Sequence, residues 1–273
     1  MPIVSVIVTT KNEEGNLSRC LSSVQAQTLV DIEIIVVDNA STDQTKTVAG
    51  KYTPHVYDCG PERSAQRNFG VAKSKGIYIL YLDADMELEP TVVAECVVMM
   101  TKDPSLCGLY IPERIVGEGF WIKVRDFERS FYDGTVIDAV RFVDRRVYLE
   151  IDGFDSTLFG GEDWDFDKRL RQLGETAVIK SRVFHDEGRF SLERYLKKKA
   201  YYAGSLDAYA EKWPANDPDV RRQVGGFYRF FAVFFEKGKF LRLLSHPILA
   251  LAMYWLRFRV GIAYLRRTRN QSI

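Results

Sequence analysis

Histidine is scarce in this chain, with three residues among 273. Cysteine is little commoner. Cys20, Cys59, Cys96 and Cys107 form no CxxC pair and no paired spacing. That argues against a disulfide framework and for reduced, structural thiols in a cytosolic protein. No GxGxxG follows the first apolar strand pattern, which counts against a dinucleotide oxidoreductase. No GxxxxGK[ST] occurs either, which counts against a P-loop NTPase. Met1 runs directly into a strand pattern, with no sign of a secretory leader. The apolar run Ile248 to Leu256 has nine residues, short of the roughly 20 needed to cross a bilayer. There is no internal repeat and no low-complexity tract. Pro214 to Pro218 is the one linker-like stretch.

What is present describes a globular protein with a sizeable core, 46% hydrophobic and 27% charged. The length suits one large or two small domains. The net charge of +1 conceals an asymmetry. Residues 221–269 carry eleven Lys or Arg and one acid, Glu236, which leaves 27 basic and 36 acidic residues elsewhere. An acidic body with a basic, apolar tail suggests a surface that meets a partner.

Val4 to Thr10, Ile32 to Val37, the weaker His55 to Cys59 and Ile77 to Asp83 read as strands. Helical patterns from Leu17, over Thr45 to Tyr52 and over Pro61 to Ser74 alternate with them. Ser41 or Thr42 can cap the helix at Thr45. This alternation predicts an α/β protein with a parallel, doubly wound sheet. Thr10, Asp38 and Asp83 then end strands on one edge, where such sheets bind ligands. Asp83-Ala84-Asp85 places two carboxylates two residues apart at that edge. They repel unless a cation lies near, and a Mg²⁺ chelated to a diphosphate would supply one. An Asp-rich turn before a helix near Pro90 is the alternative.

The second half is less regular. Leu106 to Ile111 and Arg141 to Asp144 read as strands, and Phe120 to Tyr132 as an amphipathic helix. Phe159-Gly160-Gly161 leads into Glu162-Asp163-Trp164-Asp165-Phe166-Asp167. Paired glycines let the backbone approach a ligand, and acids suit the first helical turn. Asp165 and Asp167 are expected to be helix-surface acids. Thr176 to Phe184 reads as one strand ending at His185.

Taken in order, VSVIVTTKNEEGNL, IEIIVVDNASTDQT, SAQRNFGVAKSKG, YILYLDADMELEP, GGEDWDFDKRLRQLG and VFHDEG resemble the inverting family 2 glycosyltransferases of the GT-A fold. The resemblance covers residues 4 to about 188. It implies a nucleotide-sugar donor and Mg²⁺ or Mn²⁺. Thr9, Lys11 and Glu13 fall where the family's first loop holds the nucleoside. Asp38 matches the carboxylate on the base or ribose, and Arg67 and Asn68 match the basic helix beside base and diphosphate. Asp83, Ala84 and Asp85 match the metal-binding DxD motif, with Asp85 the direct ligand. Asp163 matches the general base, with Glu162 beside it in the donor site. His185 matches a histidine that in some members helps hold metal or diphosphate. Lys11 departs from an aromatic frequent in relatives, which leaves the base open, uridine being the commonest.

The chain is expected to divide into a catalytic GT-A domain at 1–212 and basic, apolar C-terminal helices at 213–273. In the former, a nucleotide-sugar half (about 1–110) precedes an acceptor half (about 111–212). The resemblance implies transfer to an acceptor hydroxyl, on a lipid-linked glycan of a cell-surface polysaccharide or glycoconjugate. A polyprenyl-phosphate glycosyltransferase and a non-catalytic nucleotide-sugar-binding module are the alternatives. Phe227 to Phe235 holds six Phe or Tyr in nine residues. With the flanking arginines it suits a helix lying in a membrane interface, peripheral on the inner face of the cell membrane. Lys197 to Lys199 and their tyrosines are expected to extend that surface. Covering the catalytic domain or forming an oligomer are the other uses for these helices. Nucleic acid is disfavoured by the apolar bulk between the basic residues.

Overall fold

The structure, a computed structural model, describes residues 1–270, with side chains except at 203 and 263–270. Arg266, Arg267 and Arg269 of the expected basic tail therefore have side chains outside the described residues.

The elements, in order, begin with β1 (Val4–Thr10), α1 (Leu17–Gln25), β2 (Ile32–Asp38), α2 (Thr45–Ala49), β3 (Val56–Asp58), α3 (Arg63–Lys73), β4 (Tyr78–Asp83) and β5 (Met86–Leu88). There follow α4 (Val92–Lys102), β6 (Leu106–Tyr110), β7 (Glu113–Glu118), α5 (Phe120–Arg129), β8 (Val140–Asp144), α6 (Arg145–Glu150), α7 (Glu162–Leu170), β9 (Glu175–Val178) and β10 (Val183–Arg189). Helices close the chain: α8 (Leu192–Ala203), α9 (Leu206–Glu211), α10 (Pro218–Val224), a π turn (Tyr228–Ala232), α11 (Val233–Phe235), a 3-10 turn (Glu236–Gly238), α12 (Phe240–Ser245) and α13 (Pro247–Asn270).

Two compact units result. The first comprises 1–114 and 138–186, the second 115–137 and 187–273. Packing thus divides the chain elsewhere than at residue 212.

The first unit is an α/β layer structure. Its seven-stranded sheet runs β3-β2-β1-β4-β8-β6-β9. The strands β3, β2, β1 and β4 are parallel, and β8 is antiparallel to both its neighbours. The central strands β1, β2 and β4 are mostly apolar because both their faces are covered. Along β1, Val4, Val6 and Val8 join a core with Leu17, Leu21 and Val24 of α1 and with Val92, Val93 and Cys96 of α4. Ile7 points the other way, into a core with Val71 of α3 and Phe166 and Leu170 of α7.

Register sets the ligand edge. Thr10 lies opposite Asp38, Thr9 opposite Asp83, and Asp38 opposite Asp58, so β1, β2, β3 and β4 end within one residue of the same level. Beyond β4 the chain turns back into β5, which pairs antiparallel with β10 and sets His185 beside Met86.

Three local expectations need correction. The stretch Thr176 to Phe184 is two strands, since β9 joins the large sheet beside β6 while β10 pairs with β5. Neither Ser41 nor Thr42 caps α2. Ser41 donates to Asp38 instead, and the Thr45 N–H goes to Asp43 Oδ1 at 3.0 Å. The nine-residue apolar run near the C-terminus is part of a 24-residue helix, α13. No helix among the described residues is long and apolar enough to cross a membrane.

In the second unit, α13 packs on α5. Met253 is fully buried with Val124, Phe127 and Phe131 of α5 and with Val233 and Phe234. Arg257, 8% exposed, reaches the buried Glu128 and Tyr132 of the α5 segment. Glu128 also takes Arg125 at 2.6 Å, so a charge that burial would penalise is paired on two sides.

Candidate active site

Helix α3 lies against β1 and β2, close enough that a Cβ at Gly70 would meet Ile7 Cγ2 at 2.4 Å. Gln66 fixes it to the strand ends by donating to Thr10 O at 3.1 Å and Val37 O at 2.7 Å. Four residues apart, Arg63 and Arg67 share one face of the helix and both reach the end of β4.

Arg67 is 1% exposed. Its guanidinium lies 4.7 Å from the Tyr81 ring centre and 4.9 Å from that of Phe154. It pairs with Asp83 at 3.4 Å and with Asp163 at 2.8 Å. Arg63 pairs with Asp83 at 3.3 Å and Glu162 at 2.9 Å. Two arginines thus bridge the β4 terminus to the first turn of α7. Gly161 begins that turn at φ 84°, a left-handed conformation costly for other residues. Asp163, with 28% side-chain exposure, is the more open of the two acids, and Glu162, with 5%, is buried. Burial and the neighbouring Asp163 raise the Glu162 pKa against the opposing arginines.

Asp83 also accepts from Thr9 Oγ1 at 3.1 Å. Burial alone would favour its neutral form, but Arg63, Arg67 and Arg141 outweigh it and hold the carboxyl well below the usual range. Asp85 faces differently. Its Oδ2 meets His185 Nε2 at 3.1 Å, and His185 Nδ1 meets Glu113 at 2.9 Å. Glu113 in turn takes Arg141 at 2.7 Å. Burial works against a charged His185, but the two carboxylates prevail, and its pKa is pushed up to about 10. The neutralising charge assigned to a metal in the sequence is therefore partly met within the chain, by arginines at Asp83 and by His185 at Asp85.

No three His, Cys, Asp or Glu among the described residues converge on one point. The expected trio of Asp83, Asp85 and His185 is thus not assembled as a set. Asp83 is committed to Thr9 and the arginines. Asp85 Oδ1, in contrast, is buried with no hydrogen-bond partner, an open acceptor that suits a divalent cation.

The other expected residues divide. Glu13 is partly buried, and burial, reinforced by Asp85, Asp43 and Asp83, raises its pKa despite a bond from Asn16. Lys11 is exposed on the same loop. Ala84 belongs to the core. Asp38 is fully buried and accepts from Ser41 N at 2.7 Å. Asn68 does not join the cluster. Its amide holds Phe154 O at 2.7 Å and Phe154 N at 2.9 Å and takes the Tyr148 hydroxyl at 2.7 Å. Gly153 is needed there, since a Cβ would meet Asn68 Oδ1 at 2.5 Å and φ is +62°. Asp165 and Asp167 are not surface acids, being 0% and 1% exposed. Asp165 pairs with Arg169 at 2.8 Å and Asp167 with Arg171 at 2.9 Å, both one turn further along the same helix, and Asp167 also accepts from the Tyr110 hydroxyl of β6.

Sequence reasoning passed over Arg63, Glu113 and Arg141. The four-residue spacing of Arg63 from Arg67 was the available signal for the first. The other two have none, because their partners lie 28 and 72 residues away. Removing Arg67 leaves Asp163 without its closest cation and Asp83 with Arg63 alone at this end. Arg67→Met is expected to destabilise the protein by roughly 3 kcal/mol, as breaking a buried pair does. Urea unfolding measures this. An unchanged midpoint would mean the pairs are worth no more than exposed ones.

The chain is similar in sequence and in fold to known proteins. The Pasteurella multocida hyaluronan synthase is 26% identical over 221 residues, which are 74% of this chain and 22% of that protein. This chain therefore spans about a fifth of that relative. A mannosyltransferase from Pyrobaculum calidifontis, solved with GDP-Man and Mn²⁺, superposes with a TM-score of 0.66 at 18% identity, covering 96% of this chain and 84% of that one. S. aureus TarS 1-349 with UDP-GlcNAc gives 0.58 at 19% identity, covering 91% and 78%. These likenesses establish the GT-A fold. The family described as Glycosyl transferase family 2 matches residues 5–149, more than half the chain and from β1 to α6, and the protein belongs to that family of glycosyltransferases.

Proposed function

We propose that the first unit moves a sugar, with inversion, from a nucleotide-sugar donor to an acceptor hydroxyl. One observation carries this reading: a single buried arginine, Arg67, holds both Asp83 at the strand edge and the part-exposed Asp163 at the start of α7. A group that can take a proton is thereby fixed relative to the edge where a diphosphate would sit.

The donor's nucleoside would lie over the ends of β1 and β2, near Thr9, Lys11, Glu13 and Asp38. We take UDP-sugar as the donor class. A divalent cation would be held by Asp85 through Oδ1, and Mg²⁺ or Mn²⁺ there supplies charge that stabilises the departing diphosphate. The protein's own residues do the rest. The leaving group blocks one face of the sugar, so the hydroxyl attacks from the other and the anomeric centre inverts. Asp163 accepts the hydroxyl proton as the new bond forms. Arg67 holds the Asp163 carboxylate in place, and Arg63 and Arg67 keep Asp83 ionised beside the donor. The acceptor we infer is a lipid-linked glycan in cell-surface polysaccharide synthesis, met at the cytoplasmic face of a membrane. The hyaluronan synthase relative supports the polysaccharide class.

Thermal-shift titration with UDP- and GDP-sugars in the presence of Mn²⁺ tests the donor class, because a ligand that binds the folded state raises its melting temperature. A UDP-sugar is expected to raise it, and EDTA to abolish both the shift and transfer. Full transfer in EDTA, or a shift with GDP-sugars alone, would overturn the respective assignment.

A further inference from the structure

The helices of the second unit bury one apolar face and expose another. On α13, Met253, Leu256 and Arg257 point inward and are 0%, 0% and 8% exposed. The opposite side carries Ile248, Leu251, Trp255 and Phe258 at helical spacing, 71%, 74%, 43% and 63% exposed. Leu244, at the end of α12, extends the same line at 71%. A second row, Phe227, Phe231 and Phe235, is more than half exposed at every position. Phe231 stacks on Tyr254 with ring centres 6.3 Å apart, which sets the two rows side by side. Side chains this large and this exposed present on the order of 1,000 Å² of apolar surface, well beyond the few hundred Å² usual on a monomer.

A helix with large apolar side chains on its outer as well as its inner side has an outer face still to be covered. Among the described residues, no helix is long and apolar enough to cross a bilayer. The surroundings of α13 name the cover. Arg221, Arg222, Lys237, Arg242 and Arg259 are exposed on the segments that carry the rows or adjoin them in sequence, and Arg259 lies over the Trp255 ring at 5.6 Å. Glu236 is the one acid between 221 and 269. Apolar residues rimmed by cations match an anionic bilayer surface, the apolar rows entering the acyl boundary and the cations meeting phosphate headgroups. A second copy of this chain would have to bring the same cations against each other.

We propose that the outer rows of α13 and of Phe227 to Phe235 are an interfacial docking surface for anionic lipid. The surface does not depend on the reaction assigned to the first unit, and its test reads binding apart from turnover. The full chain is sedimented with vesicles of phosphatidylcholine alone or with a third phosphatidylglycerol, at low and high salt. Binding is expected to the anionic vesicles, at least tenfold weaker to neutral ones, and weakened by salt through screening. Leu251→Glu with Phe258→Glu, both exposed, should reduce it at least tenfold while the melting temperature stays unchanged. Arg221→Glu with Arg259→Glu should do the same on anionic vesicles. Failure to bind anionic vesicles at low salt overturns the proposal. So does self-association that the apolar double variant abolishes without any vesicle binding, which would assign the surface to a second copy.

Discussion

Asp163→Asn is expected to lower transfer by roughly 10²–10⁴-fold, the usual contribution of a positioned acid or base, with donor affinity nearly intact. The amide keeps the side chain's size and can still accept from Arg67, now 2.8 Å away, but cannot take the acceptor's proton. The loss should therefore fall on kcat rather than on donor binding. Calorimetric donor affinity measured beside turnover separates the cases. Normal turnover would place the base elsewhere, or make the acceptor a phosphate, which is already ionised near neutral pH and needs no base. Loss of donor binding as well would make Asp163 a strut of the α3–α7 bridge. Asp167→Asn serves as a contrast. It alters a buried pair with Arg171 and a bond from the Tyr110 hydroxyl, so it should cost stability and leave the chemical step alone.

Asp85→Ala should lower transfer on the order of 10³-fold, the several kcal/mol that a metal ion contributes at a developing charge. The substitution removes the buried Oδ1 that has no partner and the contact to His185. It should also abolish the rise in melting temperature that Mn²⁺ gives in the presence of donor, a readout independent of turnover. Asp83→Ala should differ. Its carboxylate is committed to Arg63, Arg67 and Thr9, so the main loss should be stability and donor affinity. Mn²⁺ dependence that survives Asp85→Ala would move the metal away from this carboxylate.

Much of the first unit was legible along the chain. β1, β2 and β4 announce themselves because both faces of a parallel strand are buried, and that leaves an apolar run ending in a polar residue. Strand ends then mark the ligand edge without knowledge of any contact, and Thr10, Asp38 and Asp83 do end within one residue of the same level. The start of α7 was readable from two glycines followed by acids. These are local signals, set by backbone sterics and periodicity.

What the sequence could not say concerns partners brought together by folding. Asp163 meets Arg67 across 96 residues and Asp85 meets His185 across 100. No period in the sequence encodes such pairings, which follow only once the sheet order and the return of β10 onto β5 are set. The same cause hid the split of Thr176–Phe184 into two strands. Asp165 and Asp167 have their cations only four residues on, but their burial depends on the core that α7 joins through Phe166 and Leu170, whose other members come from distant strands. Composition alone fixed that the C-terminal segment would be apolar and basic. Tertiary packing decided which side of α13 faces Val124, Phe127 and Phe131 and which is left outward, because large apolar residues stand on both sides of this helix and its neighbours select the inner face.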